Sequence, residues 1–279
     1  MWKLLILLIF MSCTDLLLQS TSQYNSLQLN GNAWIHIINN SNDDNDISVM
    51  NNAFTLEFWF TGGNSGDSES ACLTSIIDDD GAIKFGLFKD PLSPNALEFW
   101  LDDIRLDPIS LNLAQNLNSG SIFHHIAITS NENIQIYIDG KLAKKFLGMS
   151  INIDENDLVI GGKVNRAFST LGNFWTGNID EVRLWSSLLS STSIDFHVKN
   201  PDKLVEISED EDENKWWETT PLTGLWRFQF EAGNTSPTIP DQSCEVLSRM
   251  YSFTSSCRDY DATIYTLGGN AATFSEKHP

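Results

Sequence analysis

The chain has 279 residues, 41% hydrophobic and 11% aromatic, enough for one large β domain or two small ones. A formal charge of −20 gives a surface that repels phosphate backbones and anionic headgroups, so nucleic acid is not an expected partner. The same acidity suits cation binding, although solubility alone accounts for it.

The first residues read as an address. Lys3 precedes an unbroken apolar run at residues 4–11. At about 1.5 Å per residue this run covers roughly 12 Å, well short of a ~30 Å hydrocarbon core. Residues 1–21 are therefore assigned as an export signal, which makes the protein secreted or attached to the cell envelope. Phe10-Met11-Ser12-Cys13 resembles a bacterial lipobox, with Phe10 where leucine is usual. The resemblance implies a lipid on Cys13 as the sole membrane attachment; ordinary secretory cleavage near residues 20–22 is the alternative. Cys244 and Cys257 lie 13 residues apart in a loop-rich stretch, a spacing that a disulfide can close in an oxidising compartment. Cys72, inside the strand-like ACLTSII, is expected to be a buried free thiol, and no Cys/His spacing resembles a zinc site.

After the signal the chain reads as strand after strand. SLQLN (26–30) and AWIHI (33–37) flank Gly31-Asn32, and residues 39–46 are a polar loop. Residues 54–62 alternate Phe54, Leu56, Phe58 and Phe60 against Thr55, Glu57 and Trp59, the period of a strand. Shorter strands are predicted at 73–77, 83–88, 97–101 and 104–106, with a hinge at Asp102-Asp103. In FHHIAITSNENIQIYIDGKLAKKF (123–146), isoleucines alternate with small or polar residues, and Asp139-Gly140 supplies the positive φ of a tight hairpin. This is a three-stranded meander whose isoleucine face needs a second sheet to cover it. LVIGG (158–162) and GNIDEVRLW (177–185) follow, and only 190–198 looks helical. Many short strands and almost no helix predict an all-β, two-sheet antiparallel sandwich.

FTLEFWF, then FHHIAIT…IYIDGKL, then LVIGG…FWTGNIDEVRLWSSLLS resembles, in order and spacing, the laminin-G-like jelly roll of the concanavalin A-like lectin/glucanase group, which includes the pentraxins. Phe123 stands where the family usually has tryptophan. The resemblance implies two curved sheets face to face over residues 22–200, with Trp59, Trp175 and Trp185 as core or rim aromatics. Beyond it, 201–215 is an acidic linker in which Glu206, Glu209, Asp210, Glu211, Asp212 and Glu213 fall within eight residues. Residues 216–279 resemble a segment that flanks such units in bacterial surface proteins. They are too few for a second unit, and are expected to add strands to the sandwich rather than to begin a truncated repeat.

Catalysis finds no support. Laminarinase-type relatives carry alternating carboxylates on one strand, whereas Glu57 has no acidic partner two positions on. His124 and His125 are adjacent and face opposite sides of a strand, one packed and the other exposed. Calcium is the cofactor that the resemblance implies. Asp180 falls where the family places a structural calcium ligand, with backbone carbonyls around Asn30, Gly31 and Asn32 to complete it. Alternatively Asp180 only leads the chain into the strand, with Glu181 and Arg183 on the opposite face, solvated or paired. The oxygen-rich loops 42–46 and 154–157 are candidates for surface calcium.

Sugar binding, the implied family role, needs an exposed aromatic beside planar polar groups. Trp34, Trp100, Trp175 and Trp216-Trp217 are candidates, each also a candidate for the core. Trp175, flanked by Asn173 and Asn178, is the first choice. The expectation is a non-catalytic extracellular or envelope binding module whose rim loops recognise a glycan. The alternatives are an adhesive protein that contacts cell-surface proteins and a divergent glycoside hydrolase.

Overall fold

The computed structural model describes residues 26–31, 33–37, 53–62, 70–93, 95–111, 122–153, 157–165, 167, 169, 171–201, 203–204 and 222–227, and the backbone of 238–239, 262–266 and 272–275. In chain order the strands are β1 (Ser26–Asn30), β2 (Ala33–Ile37), β3 (Phe54–Phe60), β4 (Cys72–Ile77), β5 (Ile83–Lys89), β6 (Ala96–Leu101), β7 (Ile104–Arg105) and β8 (Ile109–Ser110). There follow β9 (His124–Ser130), β10 (Asn133–Ile138), β11 (Lys141–Leu147), β12 (Leu158–Ile160), β13 (Lys163–Val164), β14 (Leu171–Gly172) and β15 (Thr176–Trp185). Helix α1 (Ser191–Lys199) precedes β16 (Leu222–Trp226), β17 (Thr238–Ile239), β18 (Ala262–Thr266) and β19 (Ala272–Ser275).

These strands form the two antiparallel sheets that alternation predicts. Sheet A runs β11-β10-β9-β3-β15-β1-β19, with β16 also on β15. Sheet B runs β17-β18-β2-β12-β4-β5-β6-β7, with β8 on β6, and β13 and β14 form a separate small ribbon. The C-terminal strands extend both sheets: β19 pairs with β1 and β18 with β2.

The meander has the predicted register. Ile136 faces Ile128 across β10 and β9, and Asp139 (φ 49°) and Gly140 (φ 75°) make the turn into β11. The inner face carries Ile126, Ile128, Ile134, Ile136, Ile138 and Phe146, packed with Phe85, Leu87, Leu97 and Phe99 of sheet B. Phe99 stacks on Phe146 with ring centroids 4.6 Å apart, joining the two sheets. Each isoleucine so buried contributes roughly 1.5–3 kcal/mol, so the alternation itself drives the closure. Cys72 is a buried free thiol, and burial pushes it up to about 12.

Two features of sheet A depart from the sequence reading. Between Asp180 and Arg183 the β15–β3 register slips by one residue, with Glu181 at φ 48° in a β-bulge. The extra residue puts Arg183, opposite Glu57, on the same outer face as Asp180, opposite Trp59, and not on the opposite face as plain alternation predicts. Part of the outer face is covered by α1, which buries Ile194 and His197 against it and is capped at its start by Ser190, whose side chain accepts from the Ser193 amide. His124 and His125 do face opposite sides, toward Phe60 and Trp59, but both are buried, His124 on the core side and His125 against Glu57 on the outer face.

Candidate functional site

The outer face of sheet A is organised around one carboxylate. Glu57, fully buried, accepts from Trp185 Nε1 at 3.0 Å. His197 Nδ1 of α1 lies 2.8 Å from its Oε1, His125 Nε2 lies 3.2 Å from its Oε2, and Arg183 Nη1 is 3.7 Å away. Arg183 also donates to Glu181 Oε2 (3.0 Å) and to the Pro201 carbonyl, and Arg227 Nε lies 2.8 Å from Glu181 Oε1. The guanidinium sits 4.9 Å from the Trp59 ring centre. Burial alone would raise the Glu57 carboxyl, but His197, His125 and Arg183 outweigh it and hold the group well below the usual carboxylate range. Burial also pushes His125 below the ordinary imidazole value, against the pull of Glu57. Asp139 fastens the neighbouring hairpin, its carboxylate accepting from the His125 amide at 2.9 Å while His124 Nδ1 lies 3.0 Å away. With its carboxylates enclosed and paired, this cluster ties the helix to the sheet and offers no surface to a ligand.

The predicted site residues scatter. Asn30 pairs with Thr176, four positions before Asp180 on β15, so Asp180 lies about 13 Å along the strand from that carbonyl. Calcium–oxygen bonds are roughly 2.3–2.6 Å, so Asp180 and Asn30 cannot share an ion. Asp180 Oδ1 accepts the Glu181 amide at 2.8 Å, and the Gly31 amide donates to the Trp175 carbonyl at 3.2 Å. These residues do not fit the implied calcium site. Asn32, Cys13, Cys244, Cys257, loop 42–46, residues 154–156 and Trp216-Trp217 lie outside the described residues. Asp157, buried, lies 2.8 Å from His36 Nε2. Among the described residues no three His, Cys, Asp or Glu side chains gather as a metal site would require.

Trp175 is a correction. It is 1% exposed, meets Phe60 edge-on at 6.0 Å and donates from Nε1 to the Thr61 carbonyl at 3.0 Å. Gly177 (φ 148°) permits the approach, because a Cβ there would stand 2.2 Å from that same carbonyl oxygen. Asn173 Nδ2 donates to the Ser70 carbonyl at 2.6 Å, so its amide holds two segments together. Trp34 is also buried, stacked 5.3 Å from Phe174.

Trp100 remains. Among the described residues it is the tryptophan that is only half-buried, on the outer face of sheet B. Leu97 and Phe99 pack into the core, and alternation sends Glu98 and Trp100 outward. Across the ladder Trp100 faces Gly86 on β5 and Arg105 on β7. The Phe88 ring leans over Gly86, where a Cβ would come within 2.5 Å of it, and props the indole edge-on at 6.3 Å. Trp100 Nε1 donates to Glu98 Oε2 at 3.3 Å. Arg105 Nη2 lies 2.9 Å from Glu98 Oε1 and 3.9 Å from Asp90 Oδ2. A half-open indole flanked by carboxylates and a guanidinium offers a stacking surface with hydroxyl acceptors and donors on its rim. The outward pairing of Glu98 with Trp100 was legible in the alternation of 97–101; the arrival of Arg105 and Asp90 beside it was not.

Comparison with known proteins agrees with the sandwich. A candidate carbohydrate-binding protein from Bacteroides ovatus matches at 14% identity and a TM-score of 0.53, over 88% of this chain and 60% of that one. The present chain thus spans about three-fifths of that relative's length. The heptameric SAP-like pentraxin from Limulus polyphemus matches at 11% identity (63% of this chain, 82% of that chain, TM-score 0.46). A Trypanosoma rangeli sialidase matches at 17% (64% and 28%, TM-score 0.48). At such identities only fold is compared. No curated protein matches the sequence. Residues 29–195, from the end of β1 into α1, match the laminin-G family of the concanavalin A-like lectin/glucanases superfamily. Two antiparallel sheets closed on an aliphatic core and a family match over more than half the chain agree: this protein belongs to the concanavalin A-like lectin/glucanases superfamily.

Proposed function

We propose that the chain is an exported, non-catalytic glycan-binding module that stacks a sugar on Trp100, with Glu98, Asp90 and Arg105 addressing its hydroxyls. One observation carries this reading: among the described residues, Trp100 is the tryptophan that is only partly buried, and Arg105 across the ladder and Glu98 on its own strand put planar polar groups beside it. The superfamily and the Bacteroides ovatus relative support a carbohydrate ligand in general terms. Export rests on the apolar run at 4–11. Titration of the purified protein against a glycan panel, with Trp100→Ala alongside, tests the reading. Truncating a central aromatic anchor costs about 2 kcal/mol or more, roughly thirtyfold in affinity. Glycan binding that Trp100→Ala leaves intact places the site elsewhere.

A second reading, a glycoside hydrolase, is favoured by Asp90 and Glu98 approaching the same guanidinium nitrogen beside the ring. Retaining hydrolysis uses two carboxyls about 5 Å apart, one of them a proton donor. Both here face Arg105, which suits holding better than cleaving. Release of new reducing ends from a bound oligosaccharide, abolished in Asp90→Asn, would favour the hydrolase.

A further inference from the structure

We propose that the Trp100 face accepts uncharged sugars and rejects those that carry carboxylate or sulfate; this rests on the preceding assignment of Trp100 as the platform. The argument is a census of charge around the ring. Arg105 is the cation directly across the ladder from Trp100, and its Nη2 is engaged by Glu98 at 2.9 Å with Asp90 at 3.9 Å. Arginine recognises an anionic ligand by presenting an open fork to it, and this fork already faces two carboxylates. Lys84, outward on β5 because Phe85 points to the core, lies 3.2 Å from Asp78 Oδ2. Lys89, at the far end of β5, is buried, as are Asp90 beside it and Glu98, so the groups there offset one another and the exposed charge near the ring lies at the opposite end.

The acidic groups are placed differently. Asp102 (φ 47°) and Asp103 (φ 60°) form the turn that leaves β6 two residues beyond Trp100, and both are exposed. Asp103 N donates to the Ile83 carbonyl and its Oδ1 accepts the Ile83 amide, which folds the turn over the start of β5. There it adjoins Asp78, whose Oδ1 accepts the Ala82 amide. Among the described residues, the turn beyond Trp100 carries exposed Asp102 and Asp103 with Asp78 and Lys84 beyond them, while toward the other end Glu98 and Asp90 are buried with Arg105 and Lys89 beside them. On a chain of formal charge −20 the long-range field has the same sign. Carboxylates remain good acceptors for sugar hydroxyls, so the arrangement serves a neutral sugar and opposes an acidic one.

The test uses the full chain and matched probes: a neutral oligosaccharide and the same oligosaccharide bearing one uronate or sulfate, titrated at low and at physiological salt. The neutral probe is expected to bind at least about tenfold tighter at low salt, with the gap narrowing as salt screens the rim. Glu98→Gln, which relaxes the hold on Arg105, is expected to narrow the gap further, its fold checked by thermal melting. Equal or tighter binding of the acidic probe, still lost in Trp100→Ala, overturns the charge preference and leaves the platform standing. If neither probe depends on Trp100, the platform assignment fails and the preference with it.

Discussion

The outer faces of the two sheets make opposite use of similar residues. On sheet A, Glu57, Trp59, Trp185 and Arg183 are buried; Glu57 and Trp185 meet His197 of α1, and Arg183 is taken up by Glu57, Glu181 and the Trp59 ring. On sheet B, Glu98, Trp100 and Arg105 form a comparable set of carboxylate, indole and guanidinium; Glu98 is buried, but Trp100 is only partly covered and Arg105 is exposed toward the β6–β7 edge. Cover, more than composition, separates a structural cluster from a binding surface. A buried charge must be fully paired, whereas a half-exposed one keeps capacity for a ligand.

The contrast can be broken most directly at Glu57. Glu57→Ala leaves His125, His197, Arg183 and the Trp185 N–H around an empty centre and is expected to cost roughly 3–5 kcal/mol, read by urea denaturation. The corresponding Glu98→Ala removes a buried partner of Arg105 and Trp100, but Arg105, itself well exposed, can turn to water, and the cost is expected to be smaller, about 1–2 kcal/mol. Equal losses would show that the two faces are not different in kind.

Acid should sharpen the same contrast. His125 is held below its ordinary 6.5, so the unfolded chain takes up that proton first. Its contribution is full above pH 6.5 and declines as pH falls through its lower folded value. Glu57, held below 4.5, adds a second loss under more acid conditions, full above that pH and gone once the folded carboxyl is protonated. The melting temperature should thus be level from pH 6.5 to about 8, below the free thiol's value, and fall in two stages below pH 6.5, the first absent in His125→Asn, where differential scanning fluorimetry against pH would show it.

A smaller effect is expected at Ser190, whose side chain accepts the Ser193 amide at 3.0 Å and starts the covering helix. Ser190→Ala should cost about 1 kcal/mol and raise hydrogen exchange in 191–199 before it does so in the meander.

Local alternation made most of the sandwich legible. It places β1 and β2 at their observed bounds, pairs the meander and fixes Asp139-Gly140 as its turn, because a period of two and a DG pair are short-range signals. The bulge at Glu181 was hidden, since an inserted residue changes register without changing composition. The cluster at Glu57 was hidden for another reason. Its partner His197 is 140 residues away, on a short helix whose docking leaves no periodic trace in residues 54–60. Trp175 misled because its polar neighbours Asn173 and Asn178 suggest a rim, while the indole turns inward to the Thr61 carbonyl. Trp100 was legible as a candidate but not distinguishable from the others, because alternation sends a side chain outward without showing what packs over it.

The pairing of β19 with β1 and of β18 with β2 has a consequence for synthesis. β1 and β2 keep one flank each of bare amides and carbonyls until residues 262–275, far later in the chain, arrive to zip them shut. Nascent chains stalled or clipped before that point would carry two sticky borders at once, so quality control in the producing cell has most to guard against until those strands have emerged.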